Sequence, residues 1–321
     1  MTVVRAADLN LTPDDIEAAG DLFGIDTLKP LGGFENLLFK SDPQGQVIRL
    51  THTSRRSPEL IEGEFEFIDH LARLGVPAVE PIRSQSGHLV EEFEANSGDH
   101  LLVVCMKEAP GERRRSSTLS ESEIVAYGEL LGSMHVASQG FKPTHGSRLD
   151  WNDPIWDEGD ESDPELLART MEVKKEAEAH WAGGLDLLIH QDAHLGNIHV
   201  TDQGSFSVFD FDDCAYGTPT HDIGIVLFYW LFGFDGDMAS EARRFLRPFL
   251  QGYERHARLP SEWPDGVDHF LAQREGDIYW LLKTEPPDDL WDVEVAYLKG
   301  RRQRILSGAP FLGQPLARTL A

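Results

Sequence analysis

LLIHQDAHLGNIHVTDQGSFSVFDFDDCAYGTPTHD, residues 187–222, is the stretch from which the fold can be read. Residues 187–189 form a short apolar run suited to a strand. Residues 198–200 and 206–209 read as two further strands, joined by Thr201-Asp-Gln-Gly204, a turn by composition. A hairpin returns its far end beside its start. Asp210, at the end of the second strand, is therefore expected close to Asn197, at the start of the first. Asp192 precedes Asn197 in the same loop, so two carboxylates and one amide are expected at one spot.

That set suits phosphoryl transfer. Mg²⁺ takes hard oxygen ligands from one or two carboxylates, completed by substrate phosphates and water. Asn197 and Asp210 supply such oxygens. An acceptor hydroxyl needs orienting and a place for its proton, which Asp192 can provide. The order His-x-Asp-x-x-x-x-Asn, a hairpin, then Asp-Phe-Asp matches the catalytic and metal loops of the protein-kinase signature. Asp212 reads either as a second metal ligand or as polar structure, and Asp213 as structural. His190 and His194 stand four apart, a spacing that suits zinc on a helix. The glutamate usual beside the first His is missing, and Gly196 argues against a helix. His190 is expected instead to hold the loop through backbone hydrogen bonds, and His135 to pack against it or cap its own helix.

The segment resembles the aminoglycoside phosphotransferase and choline kinase family, the small-molecule branch of the kinase-like fold. The family's catalytic loop usually reads His-Gly-Asp-x-x-x-x-Asn, here His190-Gln191-Asp192-Ala193-His194-Leu195-Gly196-Asn197. Its metal segment corresponds to Asp210-Phe211-Asp212. The resemblance implies that Asp192 and His190 belong to the catalytic loop, that Asn197, Asp210 and Asp212 face the metal, and that Asp222 buttresses the loop. Asp222 reads equally as the N-cap of the helix that follows. Gly32-Gly33-Phe34-Glu35-Asn36 is similar to the nucleotide-covering loop. Glu64 fits the helix glutamate that pairs with a phosphate-binding cation. That cation is ordinarily Lys; this chain offers Arg49, which holds phosphate with a different reach and geometry. Cys105, Met106 and Lys107 correspond to the hinge whose backbone reads adenine. The implied cofactors are ATP and Mg²⁺.

Outward from this segment, residues 31–50 read as a hairpin with a turn at 41–45. Residues 58–74 read as an amphipathic helix, ended by Gly75 and Pro77. Strands are expected at 88–92 and 101–106, and an antiparallel sheet with one helix against it is the simplest assembly. Residues 107–111 resemble a linker. Beyond them helices are expected at 123–138, capped by Thr118 or Ser120, and at 223–234 and 240–256, with at least one more toward the carboxyl end. Residues 141–164 read as irregular loop. The expectation is an α+β, two-lobed, protein-kinase-like fold: an antiparallel β-rich N-lobe over 1–106 and a mainly helical C-lobe over 107–321.

Composition narrows the function classes. A chain of 321 residues buries enough surface to dispense with disulfide or metal staples. Two cysteines, Cys105 and Cys214, exclude a disulfide framework and suit a reducing cytoplasm. The opening MTVVRAADLN lacks a signal-peptide core, and the apolar run at 223–234 is too short to span a bilayer. The net charge of −26 opposes nucleic acid and anionic membranes. The acids are spread along the chain, which favours a whole-surface property such as salt adaptation over one cationic-ligand site. The compact basic group Arg301-Arg302-Gln303-Arg304 reads as a solvated helix face. The expected partner is a small-molecule hydroxyl acceptor, an amino alcohol or a sugar; aminoglycoside modification and Ser/Thr protein phosphorylation are alternatives. A nucleotide-binding scaffold without catalysis would account for Arg49 but not for the intact Asp192, Asn197 and Asp210.

Overall fold

The structure, a computed structural model, describes residues 9–33, 36–153, 162–181 and 187–321. The amino-terminal stretch up to Asp8, Phe34 and Glu35 of the expected nucleotide-covering loop, and residues 154–161 of the expected irregular loop lie outside these. The chain forms two compact units. One comprises the chain up to Gly111 with Phe141–Leu149 and Ser207–Asp212; the other comprises Glu112–Gly140, Asp150–Phe206 and Asp213–Ala321.

The first unit is built on an antiparallel sheet. It is made of β1 (Lys29–Gly32), β2 (Leu37–Ser41), β3 (Gln46–His52), β4 (Pro81–Ile82), β5 (Val90–Glu94) and β6 (His100–Lys107). β1, β2, β3 and β6 pair in that order, and β6 pairs on its far side with β5 and β4. The strand pattern decides which residues face which way. Ile48 and Leu50 of β3 join Leu101, Val103 and Cys105 of β6 in one core with Ala19, Phe23 and Ile25. Arg49 and Thr51 alternate to the opposite face.

Two helices rather than one belong to this unit. α1 (Pro13–Asp21) adds Ala19 to the first core, and it starts on a capping box in which Thr12 and Asp15 satisfy each other's backbone N–H. Thr12-Pro13 is a start signal the sequence reading passed over. α2 (Pro58–Arg73) is capped by Ser57 and buries Ile61, Phe65, Ile68 and Leu71. The two later segments dock here. Thr144 and His145 donate their backbone N–H to Glu66 at 2.6 and 3.1 Å. Arg148 reaches the carbonyls of Leu60 and Asp212 at 2.7 and 2.6 Å. Val208 exchanges backbone hydrogen bonds with Pro77 and Val79. No local pattern in the sequence marks these returns, because each depends on a surface made by a distant segment.

The second unit is mainly helical. α3 (Glu121–Ser138) begins on a Ser120–Glu123 capping box, and α4 (Pro164–Trp181) follows. β7 (Leu187–Ile189) runs into the loop of interest. β8 (Ile198–Val200) begins the expected hairpin, and the chain passes through the Thr201–Ser205 turn into β9 (Phe206–Val208), whose last two residues belong to the first unit. β10 (Ala215–Gly217) pairs with β7, placing Ile189 opposite Ala215. α5 (Pro219–Leu231), α6 (Met238–Tyr253), α7 (Trp263–Thr284), α8 (Asp292–Leu298), α9 (Arg301–Ser307) and α10 (Leu316–Leu320) complete it. α5 starts earlier than its apolar run suggests and ends at Leu231, leaving Phe234 of that run exposed. It is buried almost all round, which is why it reads as uniformly apolar. α3 and α6 cross closely at Gly128, where an added Cβ would lie 1.9 Å from the Phe249 carbonyl oxygen. Among the described residues no helix is long and apolar enough to cross a membrane.

Candidate active site

In the second unit the chain leaves β7 at Ile189 and turns at once. Gln191 sits at φ +66°, a left-handed conformation uncommon for a residue with a side chain. Such a turn persists only if its surroundings hold it, and Asp222 does so. Asp222 is fully buried in the first turn of α5. Its Oδ2 accepts the His190 N–H at 3.0 Å and its Oδ1 the Gln191 N–H at 2.7 Å. Asp222 is therefore the buttress and not the N-cap: Thr218 caps α5 by accepting the Thr220 N–H. His135 stands behind it, bridging Asp222 Oδ2 at 3.0 Å and the Tyr253 hydroxyl at 2.9 Å. With both ring nitrogens so engaged it does not cap α3. Burial pushes the Asp222 carboxyl up, but the His135 hydrogen bond and charge, with His190, outweigh it and hold the carboxyl below its usual range.

The loop beyond is braced along its length. His190 Nδ1 accepts the Asp192 N–H at 3.3 Å, the backbone-holding role read from the sequence. The Gln191 amide donates to the Trp151 carbonyl at 3.1 Å, and the Tyr127 hydroxyl donates to the carbonyl of Ala193. His194 Nδ1 accepts the Gly196 N–H at 2.8 Å, and its Nε2 lies 3.3 Å from Asp192 Oδ2. The two histidines thus have separate tasks, neither of them metal binding. Asn197 Nδ2 donates to the Asp192 carbonyl and to its Oδ2 at 3.0 and 2.9 Å, which leaves Asn197 Oδ1 as the oxygen for a cation.

Arg274, from α7, donates through Nη2 to Asp192 Oδ1 at 2.9 Å. Burial pushes the Asp192 carboxyl up, but His194, Arg274 and His190 more than compensate, and it stays well below the usual carboxylate range. Asp192 is thus an ionised acceptor of hydrogen bonds. Arg274 is separated from it by 82 positions, and no spacing rule could have found it.

In the first unit Arg49 and Glu64 form a buried bidentate pair, Nη1–Oε1 2.8 Å and Nη2–Oε2 2.6 Å. Arg49 Nε is buried with no hydrogen-bond partner among the described residues. Gly33 has φ +136°, and a Cβ there would lie 1.9 Å from the Asn36 carbonyl oxygen, so this bend requires glycine. Asn36 is committed within the unit: its Oδ1 accepts the Thr51 hydroxyl at 2.8 Å and its Nδ2 donates to Asp212 Oδ2 at 3.4 Å. Asp212 takes Arg55 on Oδ2 at 2.6 Å and Arg56 on Oδ1 at 3.2 Å. Guanidinium N–H groups thus engage both of its oxygens, as its reading as polar structure expects. Asp210, at φ +65°, is exposed. Cys105, Met106 and Lys107 end β6; burial pushes the Cys105 thiol up to about 12, and Lys107 pairs with Glu80.

Among the described residues no group of three or more His, Cys, Asp and Glu side chains could hold a metal by itself. Asn197 Oδ1 in the second unit and the exposed Asp210 carboxylate in the first are each hard oxygen donors, the kind a Mg²⁺ ion takes.

The model of the phosphotransferase enzyme family matches residues 27–263. The chain belongs to that family. Among curated relatives it is similar to amicoumacin kinase of Bacillus subtilis, 28% identical over 90% of this chain and 89% of that one. It is also similar to homoserine kinase of Beijerinckia indica, 26% identical over 61% of this chain and 60% of that one. Among solved structures it is similar to an amicoumacin kinase in complex with AMP-PNP and Ca²⁺: TM-score 0.77, 25% identity, covering 94% of this chain and 95% of that one. A microcompartment-associated aminopropanol kinase shares the fold: TM-score 0.73, 21% identity, covering 94% and 98%. This member of the phosphotransferase enzyme family has the kinase-like fold expected from its sequence, and it is an ATP-dependent phosphotransferase with a hydroxyl group as acceptor.

Proposed function

We propose that Asp192 is the catalytic carboxylate of a small-molecule kinase. The observation that carries this is its presentation: an ionised carboxylate on a loop fixed by Asp222, with Asn197 tied to its carbonyl and to one of its oxygens. In the reaction the acceptor oxygen forms a bond to the γ-phosphorus of ATP. The bond from that phosphorus to the β,γ-bridging oxygen breaks, ADP leaves, and the hydroxyl proton passes to Asp192. A carboxylate held this far below its usual range is a weak base. Its larger contribution is to orient the hydroxyl, which suits a loose transition state in which the proton moves late.

Asn197 Oδ1 and the Asp210 carboxylate would hold Mg²⁺, which would neutralise charge on the transferring phosphate. Arg49 supplies positive charge to the nucleotide phosphates in place of the usual Lys, and Glu64 keeps it from turning away. Gly32 and Gly33 bring backbone amides toward those phosphates, and the 105–107 backbone meets the adenine. Both cysteines are buried and neither is in a disulfide, as suits a reducing cytoplasm.

The acceptor is a small hydroxylated metabolite; curated relatives are named for amicoumacin and homoserine. The chain between Asp213 and Asp222 is short and is taken up by β10 and the start of α5, leaving no room for a regulated activation segment. Two measurements test the reading: Mg²⁺-dependent thermal stabilisation by ATP, and ADP release over a panel of small alcohols. Stabilisation without ADP release for any acceptor would turn the protein into a nucleotide-binding scaffold.

A further inference from the structure

Three groups from separate elements meet the Asp192 carboxylate: Arg274 of α7, Tyr229 of α5, and His194 of the loop itself. The Arg274 side chain is only 12% exposed. Its Nη2 donates to Asp192 Oδ1 at 2.9 Å and to the Tyr229 hydroxyl at 2.8 Å, and the guanidinium lies over the Tyr229 ring, 5.1 Å from its centroid. The His194 ring contacts Tyr229 from another side at 4.2 Å. The cation is fixed on two hydrogen bonds and a ring face.

It is also left under-used. Of its three guanidinium nitrogens only Nη2 has a hydrogen-bond partner among the described residues, and Nε is buried without one. An unsatisfied buried donor is costly, more so on a charged group. Asp277, on the next turn of α7, adds negative charge at longer range but no hydrogen bond to it. If Asp192 were meant to attract a cationic acceptor, Arg274 would cancel that attraction, because its charge sits on the same carboxylate.

We infer that Arg274 is an acceptor-specificity residue, that its Nη1, the one nitrogen neither buried nor bonded among the described residues, takes a carboxylate on the acceptor, and that the acceptor class is short-chain hydroxy acids, hydroxy amino acids included. This rests on Asp192 being the catalytic carboxylate. A guanidinium is suited to the task because its planar fork matches a carboxylate in charge and shape. Its bond to Asp192 sets a short distance between the captured carboxylate and the hydroxyl that Asp192 orients. Carboxyl-free amino alcohols and polycationic acceptors would meet a cation with nothing to offer it.

The test measures kcat/KM by ADP release with serine against ethanolamine, and with homoserine against its decarboxylated counterpart. The wild-type enzyme is expected to prefer the acid of at least one pair by on the order of ten- to a hundredfold, the worth of one charge-assisted hydrogen bond. Arg274→Gln should collapse that ratio toward one, mainly by raising KM for the acid. The KM for ATP should stay unchanged. A wild-type enzyme that turns over neither acid, or shows no preference, overturns the inference without recourse to a variant. So does an Arg274→Gln enzyme whose kcat falls equally for all acceptors with the ratio intact, since that marks a residue that only positions Asp192. Failure of the underlying reading looks different: Asp192→Ala would then keep turnover on the preferred acceptor.

Discussion

Replacing Asp222 by Asn keeps size and shape and removes one acceptor oxygen and the charge. In the native structure Oδ1 accepts from Gln191 at 2.7 Å, and Oδ2 accepts from His190 at 3.0 Å beside His135, also at 3.0 Å. An amide offers a single acceptor oxygen. If it faces Gln191, the new NH₂ confronts the His190 N–H; if it faces His190, it confronts the Gln191 N–H. One buried backbone donor is orphaned either way, at about 1–3 kcal/mol. Loss of the charge at the remaining hydrogen bonds brings the total to about 3–4 kcal/mol, since a hydrogen bond to a charged group is worth about 1.5–3 kcal/mol. The melting temperature should fall by on the order of 10 °C. The freed backbone at Gln191 relaxes from its left-handed conformation and Asp192 moves with it, so kcat should drop about a hundredfold. The KM for ATP should change little. The effect also has a pH signature. The folded-state pKa of Asp222 is depressed, so its contribution is present above the ordinary carboxylate range and lost as pH falls through and below that range. The wild type should therefore lose its advantage over the variant at low pH. Thermal melts from neutral pH downward, with kcat at neutral pH, check this. A melting temperature within about 2 °C of wild type, or an unchanged kcat, refutes the reasoning.

Gly128→Ala drives a methyl group into the Phe249 carbonyl at the crossing of α3 and α6 and should cost about 3 kcal/mol or more, read by urea denaturation. Asp268 accepts the Leu316 N–H at 2.8 Å through Oδ2, while Oδ1 is buried without a partner among the described residues; burial, reinforced by Asp265, pushes its carboxyl up to about 6 against the Leu316 bond. Since the folded state holds that proton more tightly, stability falls as pH rises through the window from the ordinary carboxylate range to about 6. Asp268→Asn should accordingly stabilise the protein by about 1 kcal/mol at pH 8, after allowance for partial exposure, and bring no gain near pH 4. With a net charge of −26, the melting temperature should rise as NaCl approaches molar concentration; a flat or falling trend would rule out salt adaptation.

Much of the fold was legible because local signals and tertiary structure agreed. The 187–222 segment carries its hairpin and its acid-bearing loops within one short window, and Ser57, Ser120 and the 3.6-residue stripes mark α2 and α3. What escaped depends on long-range closure. α1 is short, with its core contacts on a sheet far along the chain. The docking of residues 141–149 on α2, and the arginines that engage Asp212, need the folded surface to exist first. Asp212 shows the limit clearly: its place beside Asp210 left metal ligand and polar structure equally open, and the Arg55 and Arg56 contacts on its oxygens are visible only in the fold. Arg274 is the corresponding omission in the second unit, a cation brought to the Asp192 carboxylate by a helix with no motif of its own.

The most direct measurement pairs ATP affinity with turnover in Asp192→Ala. If Asp192 orients the acceptor hydroxyl, the variant binds ATP with a Kd within about threefold of wild type, while ADP release with acceptor falls by on the order of a thousandfold. Turnover near the wild-type rate, or loss of ATP binding in step with turnover, would contradict it.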